Sequence, residues 1–167
     1  MIRLLALAAL LAAPAPAPAP ALARASEGAE PAVPPFVQAL VARKAGSLAY
    51  VPTRLPLRYR YRSYRWDPSA RALTLRFGDE RFPPAAARTV VFTVEPWRKP
   101  LARCGDGRVK TLQMGGNRVY WDGSAAWRCQ RGPDGRVARL SATHPTFPEF
   151  ALGRVVASGK RVGAARG

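Results

Sequence analysis

The sequence predicts an α+β domain: a meandering antiparallel sheet of about six or seven strands, with an N-terminal helix and a C-terminal packing helix. Three observations predict it. Short segments of period-two alternation, separated by turn residues, recur from Tyr59 to Ser141. Helical spacing precedes them at Phe36, Val37, Leu40 and Val41, and returns after them at Phe150, Leu152, Val155 and Val156. Helices confined to the two ends of a strand-rich run argue against alternating βαβ units.

The elements follow in order. Residues 1–25 read as an export signal. Arg3 is the charge of the n-region, Leu4 to Ala13 form the apolar run, and Ala21-Leu22-Ala23 and Ala23-Arg24-Ala25 are alternative cleavage motifs. The run is far shorter than the ~20 residues of a membrane-spanning helix. Residues 26–35 read as a flexible leader, and residues 36–162 as one domain. The helix over 36–44 ends at Gly46, with Arg43 and Lys44 suited to its C-terminus.

Val51 to Pro56 is a proline-stiffened extended approach to the sheet. In Tyr59 to Trp66 the alternation slips at Ser63, and a β-bulge there would bring Tyr59, Tyr61, Tyr64 and Trp66 onto one face. Leu73 to Phe77 is the return strand after the Asp67-Pro68 turn. Thr89 to Val94 is rich in β-formers and suits a central strand. Gly115-Gly116-Asn117 joins two strands in a tight hairpin. Further strands run through Ala126–Gln130 and Val137–Ser141 around Gly132-Pro133-Asp134-Gly135. The last helix spans Pro148 to Ser158, with Thr146 as an N-cap and Gly159 as a stop. Residues 163–167 form a mobile basic tail.

The 167 residues carry 27 Lys plus Arg against 10 Asp plus Glu. Cleavage after Ala25 removes Arg3 and Arg24, leaving 25 basic against 10 acidic residues, a net +15. Such a field attracts anionic lipid, acidic wall polymers or nucleic acid, and weakens with salt. Nucleic acid matches the charge and mismatches an extracytoplasmic compartment. Only four basic residues are lysine, so part of the arginine excess reflects a GC-rich composition. In an exported protein Cys104 and Cys129 are expected to form a disulfide, the alternative being two buried thiols. A metal site would need more ligands than these cysteines and the single His144 provide.

Catalytic signals are few. His144 is the one conventional base, and it sits before Pro145 without a Gly-x-Ser-x-Gly elbow. Asp79 and Glu80 are adjacent, so on a strand they point to opposite faces, and both read as solvated loop acids. No phosphate loop or dinucleotide fingerprint is present. The expectation is a protein that is not an enzyme and needs no cofactor. Tyr59 to Trp66 interleaves aromatics with arginines, a pattern that tracks polyanions. The candidate binding residues are Arg60, Arg62, Arg65 and Arg76 for attraction, and Tyr64, Trp66, Trp121 and Trp127 for apolar contact.

Ordered landmarks carry a family resemblance. They are Tyr50-Val51-Pro52, Leu55-Pro56-Leu57-Arg58-Tyr59, Arg118-Val119-Tyr120-Trp121, Ala126-Trp127 and Phe147 through Ser158. Over residues 48–160 the chain resembles a bacterial domain of unknown function found at the extracytoplasmic end of anti-sigma factors, lipoproteins and lipoprotein-carrier-like or RseB-like proteins. The resemblance implies a curved sheet with helical cover and transfers no catalytic residue. A cleavable signal and the cysteine pair depart from the family pattern. The expected function is a secreted or periplasmic binding module for an anionic or amphiphilic envelope component, an anionic lipid or wall polymer. The alternative is a domain that contacts another exported or membrane protein in envelope-stress or anti-sigma-type sensing.

Overall fold

A computed structural model describes residues 31–85 and 88–163. The expected signal, the leader before Pro31 and the tail after Gly163 lie outside the described residues. The domain is α+β, as expected. Helix α1 (Pro35–Ala45) precedes strands β1 (Tyr50–Pro52), β2 (Tyr59–Asp67), β3 (Ala72–Asp79) and β4 (Thr89–Pro96). Strands β5 (Lys110–Met114), β6 (Asn117–Trp121), β7 (Ala125–Arg131) and β8 (Val137–Thr143) follow. Helix α2 (Glu149–Ala157) and strand β9 (Gly159–Arg161) complete the chain.

Seven strands form one antiparallel sheet in the order β2-β3-β4-β8-β7-β6-β5, while β1 and β9 pair separately. The sheet is therefore two meanders joined at β4–β8. After Pro96 the chain crosses to the far edge, builds β5 and works back until β8 meets β4. That crossing, residues 97–109, is anchored on one sheet face. The Trp97 N–H donates to the Val137 carbonyl at 2.8 Å, and Cys104 is disulfide-bonded to Cys129 of β7. A Cβ on Gly105 would lie 2.1 Å from the Tyr120 ring, so only glycine lets the crossing lie this close to β6.

Alternation assigns the two faces. Leu73, Leu75 and Phe77 align through the ladder with Phe92, Val94, Leu140 and Ala142 to make the inner, core face. Helix α1 covers it over β2 and β3, and α2 covers it over β5 to β8. The bulge in β2 is present: Tyr61 opposes Phe77, while Ser63 opposes Arg76. It places Tyr59, Tyr61, Tyr64 and Trp66 opposite Asp79, Phe77, Leu75 and Leu73, all on the inner face. The β5–β6 hairpin turns through Gly115 and Gly116, both left-handed, as its two-residue loop requires.

Three expectations change. Val33 is fully buried and accepts a hydrogen bond from the Gln38 side chain at 2.8 Å, so packing begins before α1 rather than after a flexible leader. Phe36 and Phe150 are exposed, because the faces that pack are Val37–Val41–Ala45 on α1 and Leu152–Val155–Val156 on α2. Pro148, not Thr146, stands at the N-cap of α2. Gly159 stands just past the helix end, as expected of a stop, and also opens β9; its Cβ position is filled by Leu140 and the Val156 carbonyl.

Arg128, buried on the inner face, fastens α2 to the sheet. Its Nε donates to the Val156 carbonyl at 3.0 Å, its Nη2 to the Gly159 carbonyl at 2.6 Å and its Nη1 to Asn117 Oδ1 at 2.7 Å. Replacing Arg128→Leu removes three hydrogen bonds that tie α2 and β9 to the sheet and should cost about 2–4 kcal/mol in urea denaturation. The Cys104→Ser/Cys129→Ser variant should lose roughly 3.5 kcal/mol, from the chain entropy of a loop of sequence separation 25. An unchanged denaturation midpoint would remove either assignment.

Candidate functional site

The inner face is not wholly covered. A groove of about 1290 Å³ runs between β2, β5 and α2. Strands β2 and β5 are the two edges of the sheet, and flat they would stand about 29 Å apart at ~4.8 Å per strand. Their lining a single groove means that the sheet curls around α2. Tyr61, Met114, Ala151 and Val155 line it with apolar surface. Gly153 lets α2 approach β5, since a Cβ there would fall 2.5 Å from Met114 Sδ.

Arg54, Arg58, Arg60 and Arg154 stand on the rim, and no carboxylate is among the lining residues. Arg60 pairs with Glu80 at 3.4 Å, both side chains about half exposed. Arg58 lies within electrostatic reach of Asp79. Arg54 and Arg154 make no ion pair among the described residues. The rim is thus cationic and wet, and the floor apolar. Phe150, 57% exposed, and Leu57, 87% exposed, add apolar surface at the mouth.

The eight residues expected to bind do not form one surface. Strand parity puts Arg60, Arg62, Arg65 and Arg76 on the outer face and Tyr64 and Trp66 on the inner face. Arg62, the bulge residue, lies over Gly78 and donates to the Asp79 carbonyl at 3.2 Å. Arg62, Arg65 and Arg76 are exposed beside Ser63 and Thr74, and make no ion pair among the described residues. Tyr64 and Trp66 are partly buried against the core, with Lys44 of α1 5.8 Å above the Tyr64 ring. Trp121 is half-buried on the inner face opposite Ala126. Trp127 faces outward but is only 5% exposed: the 97–109 crossing covers it, its Nε1 donates to the Cys104 carbonyl at 2.8 Å, and Arg139 lies 4.9 Å from its ring. The aromatics serve packing; of the eight, only Arg60 reaches the groove.

Sequence reasoning missed Arg54, Leu57, Arg58, Met114, Phe150 and Arg154. One signal was available: Phe150 and Arg154 stand four residues apart on the helix face opposite the core residues. Nothing local shows that Met114 of β5 meets this helix at Gly153.

Tyr59, His144 and Asp79 are structurally engaged. Tyr59 Oη lies 2.9 Å from His144 Nε2, and the Thr146 N–H donates to His144 Nδ1 at 3.2 Å. The imidazole stacks on Phe147 at 3.9 Å. With Nδ1 accepting, the proton resides on Nε2 and is donated to Tyr59. Asp79 is buried rather than solvated: Arg81 binds both of its oxygens and holds its carboxyl down at about 2, while Glu80 stays exposed.

The disulfide fits an oxidising, extracytoplasmic compartment. Among the described residues no helix is long and apolar enough to cross a membrane. No protein-family model, curated protein or solved structure matches the chain.

Burial lowers the His144 pKa below its ordinary 6.5. The folded state therefore disfavours the imidazolium, and stability present above 6.5 is lost as pH falls below it. Because His144 is the single histidine, one NMR imidazole signal reports it. Its midpoint should lie below 6.5, and His144→Gln should flatten the stability profile between about pH 7 and 5. A midpoint above 6.5 would contradict the burial argument.

Proposed function

We propose that the protein is an exported, non-enzymatic binding module whose groove takes an anionic amphiphile of the cell envelope, a molecule with an apolar chain and an anionic headgroup. The observation that carries this reading is the pairing of an apolar floor with a rim of arginines in one groove of about 1290 Å³. That volume exceeds the ~300–1,000 Å³ of a typical small-molecule site, and suits an elongated ligand. Tyr61, Met114, Ala151 and Val155 would remove the chain from water, and Arg54 and Arg154 would hold the headgroup. Arg62, Arg65 and Arg76, on the opposite face, contribute long-range attraction rather than contact.

A second reading, docking to another exported protein, draws on the edge strands β2 and β5, each of which has one side unpaired within the sheet.

The test is fluorescence titration with a monoacyl phosphatidylglycerol, its phosphatidylcholine counterpart and an uncharged monoacylglycerol. The anionic ligand should bind tightest. Arg54→Gln and Arg154→Gln should each weaken it about fivefold, the ~1 kcal/mol of a partly exposed charge pair, with little effect on the neutral ligand. Ala151→Trp, filling the groove, should abolish binding of all three. Equal affinity for the three ligands, or full binding by Ala151→Trp, would overturn the proposal.

A further inference from the structure

The approach to β2 holds an apolar side chain out of the protein by an unfavourable backbone. The Tyr59 N–H donates to the Pro56 carbonyl at 3.1 Å, closing a four-residue turn with Leu57 at its first corner and Arg58 at its second. Arg58 has φ +70°, a left-handed conformation in which glycine or asparagine is the usual occupant. It is held there because its carbonyl accepts from the Glu80 N–H at 2.9 Å, clamping the turn to the end of β3. Leu57 is consequently 87% exposed, while neighbouring Leu55 packs against the core.

The surroundings of this tip carry an excess of positive charge. Arg58 follows Leu57 directly, Arg60 stands at the edge of β2, and Arg62, Arg65 and Arg76 continue the positive surface onto the outer face. The neighbouring acids are already engaged, Glu80 by Arg60 and Asp79 by Arg81. An exposed apolar apex ringed by arginines matches an anionic lipid surface: the aliphatic chain enters the interfacial layer and the guanidiniums meet the phosphates. A soluble polyanion would use the arginines and leave Leu57 in water.

We propose that the Pro56–Tyr59 turn is a membrane-docking tip, with Leu57 inserting into an anionic bilayer while Arg58 and Arg60 pair with its headgroups. The groove mouth shares these arginines, so docking would present it to the lipid. The tip does not depend on the groove being a lipid site. One apolar side chain and a few arginines give reversible, salt-sensitive binding rather than permanent anchorage.

The oxidised mature chain should be sedimented with vesicles of phosphatidylcholine containing about one third phosphatidylglycerol, and with pure phosphatidylcholine vesicles. Wild type should bind the anionic vesicles only. Leu57→Asn should lower partitioning about tenfold. Arg58→Gly removes one charge and relieves the left-handed backbone, so it should lower partitioning about fivefold without lowering the melting temperature. Ala151→Trp should dock like wild type. Loss of docking by Ala151→Trp would mean capture by the groove and would overturn the tip. So would undiminished binding by Leu57→Asn, or absence of vesicle binding by wild type. Docking by a protein whose groove binds no monoacyl ligand would leave the tip standing and remove the groove reading.

Discussion

A buried guanidinium without a carboxylate partner secures the helix on which the groove depends. Arg128 lies on the core face of β7 and is neutralised by dipoles: the carbonyls at the end of α2 and of Gly159, together with Asn117. Burial pulls its pKa below the ordinary arginine value, with Tyr50 acting in the opposite sense, and the group remains charged. Asn117 adds a second hold by donating to the Ala157 carbonyl at 3.3 Å. The orphan carbonyls at this helix end are thus met by sheet side chains, and α2 is placed in register with β6 and β7. Since α2 is one wall of the groove, the groove inherits that register.

The opposite face is organised by a covalent constraint. A connection from β4 to the far edge must cross the strands that will form later, and residues 97–109 do so over β6 to β8. The disulfide to β7 limits its freedom before and after folding, and Trp127 fills the space beneath it. One sheet face is covered by helices except at the groove, and the crossing covers the other over β6 to β8. The outer part of β2 and β3 stays open, and Arg60, Arg62, Arg65 and Arg76 lie exposed on it.

Much of the fold was legible because its determinants are local. Period two in β3, β4 and β8 specifies strands. The Gly115-Gly116 pair specifies a hairpin, and the slip at Ser63 specifies a bulge, because otherwise four aromatics would divide between core and water. The binding set was legible only in part. Arg60, Arg62, Arg65 and Arg76 all lie on the outer face. Their grouping with Tyr64, Trp66 and Trp127 failed: neighbours on a strand point to opposite faces, and Trp127 lost its exposure to a segment more than twenty residues away.

The sequence by itself determined the class of elements, the alternation of the main strands, the cysteine pair and the excess of positive charge. Each follows from periodicity, turn stereochemistry or composition, which act over a few residues. Tertiary structure decided the strand order, the curl that brings the β2 and β5 edges to one groove, and the meeting of Met114 with Gly153. Those arise from pairings between distant segments, and residues such as Leu57, Arg58 and Arg154 acquire a shared surface only after the sheet has closed around α2.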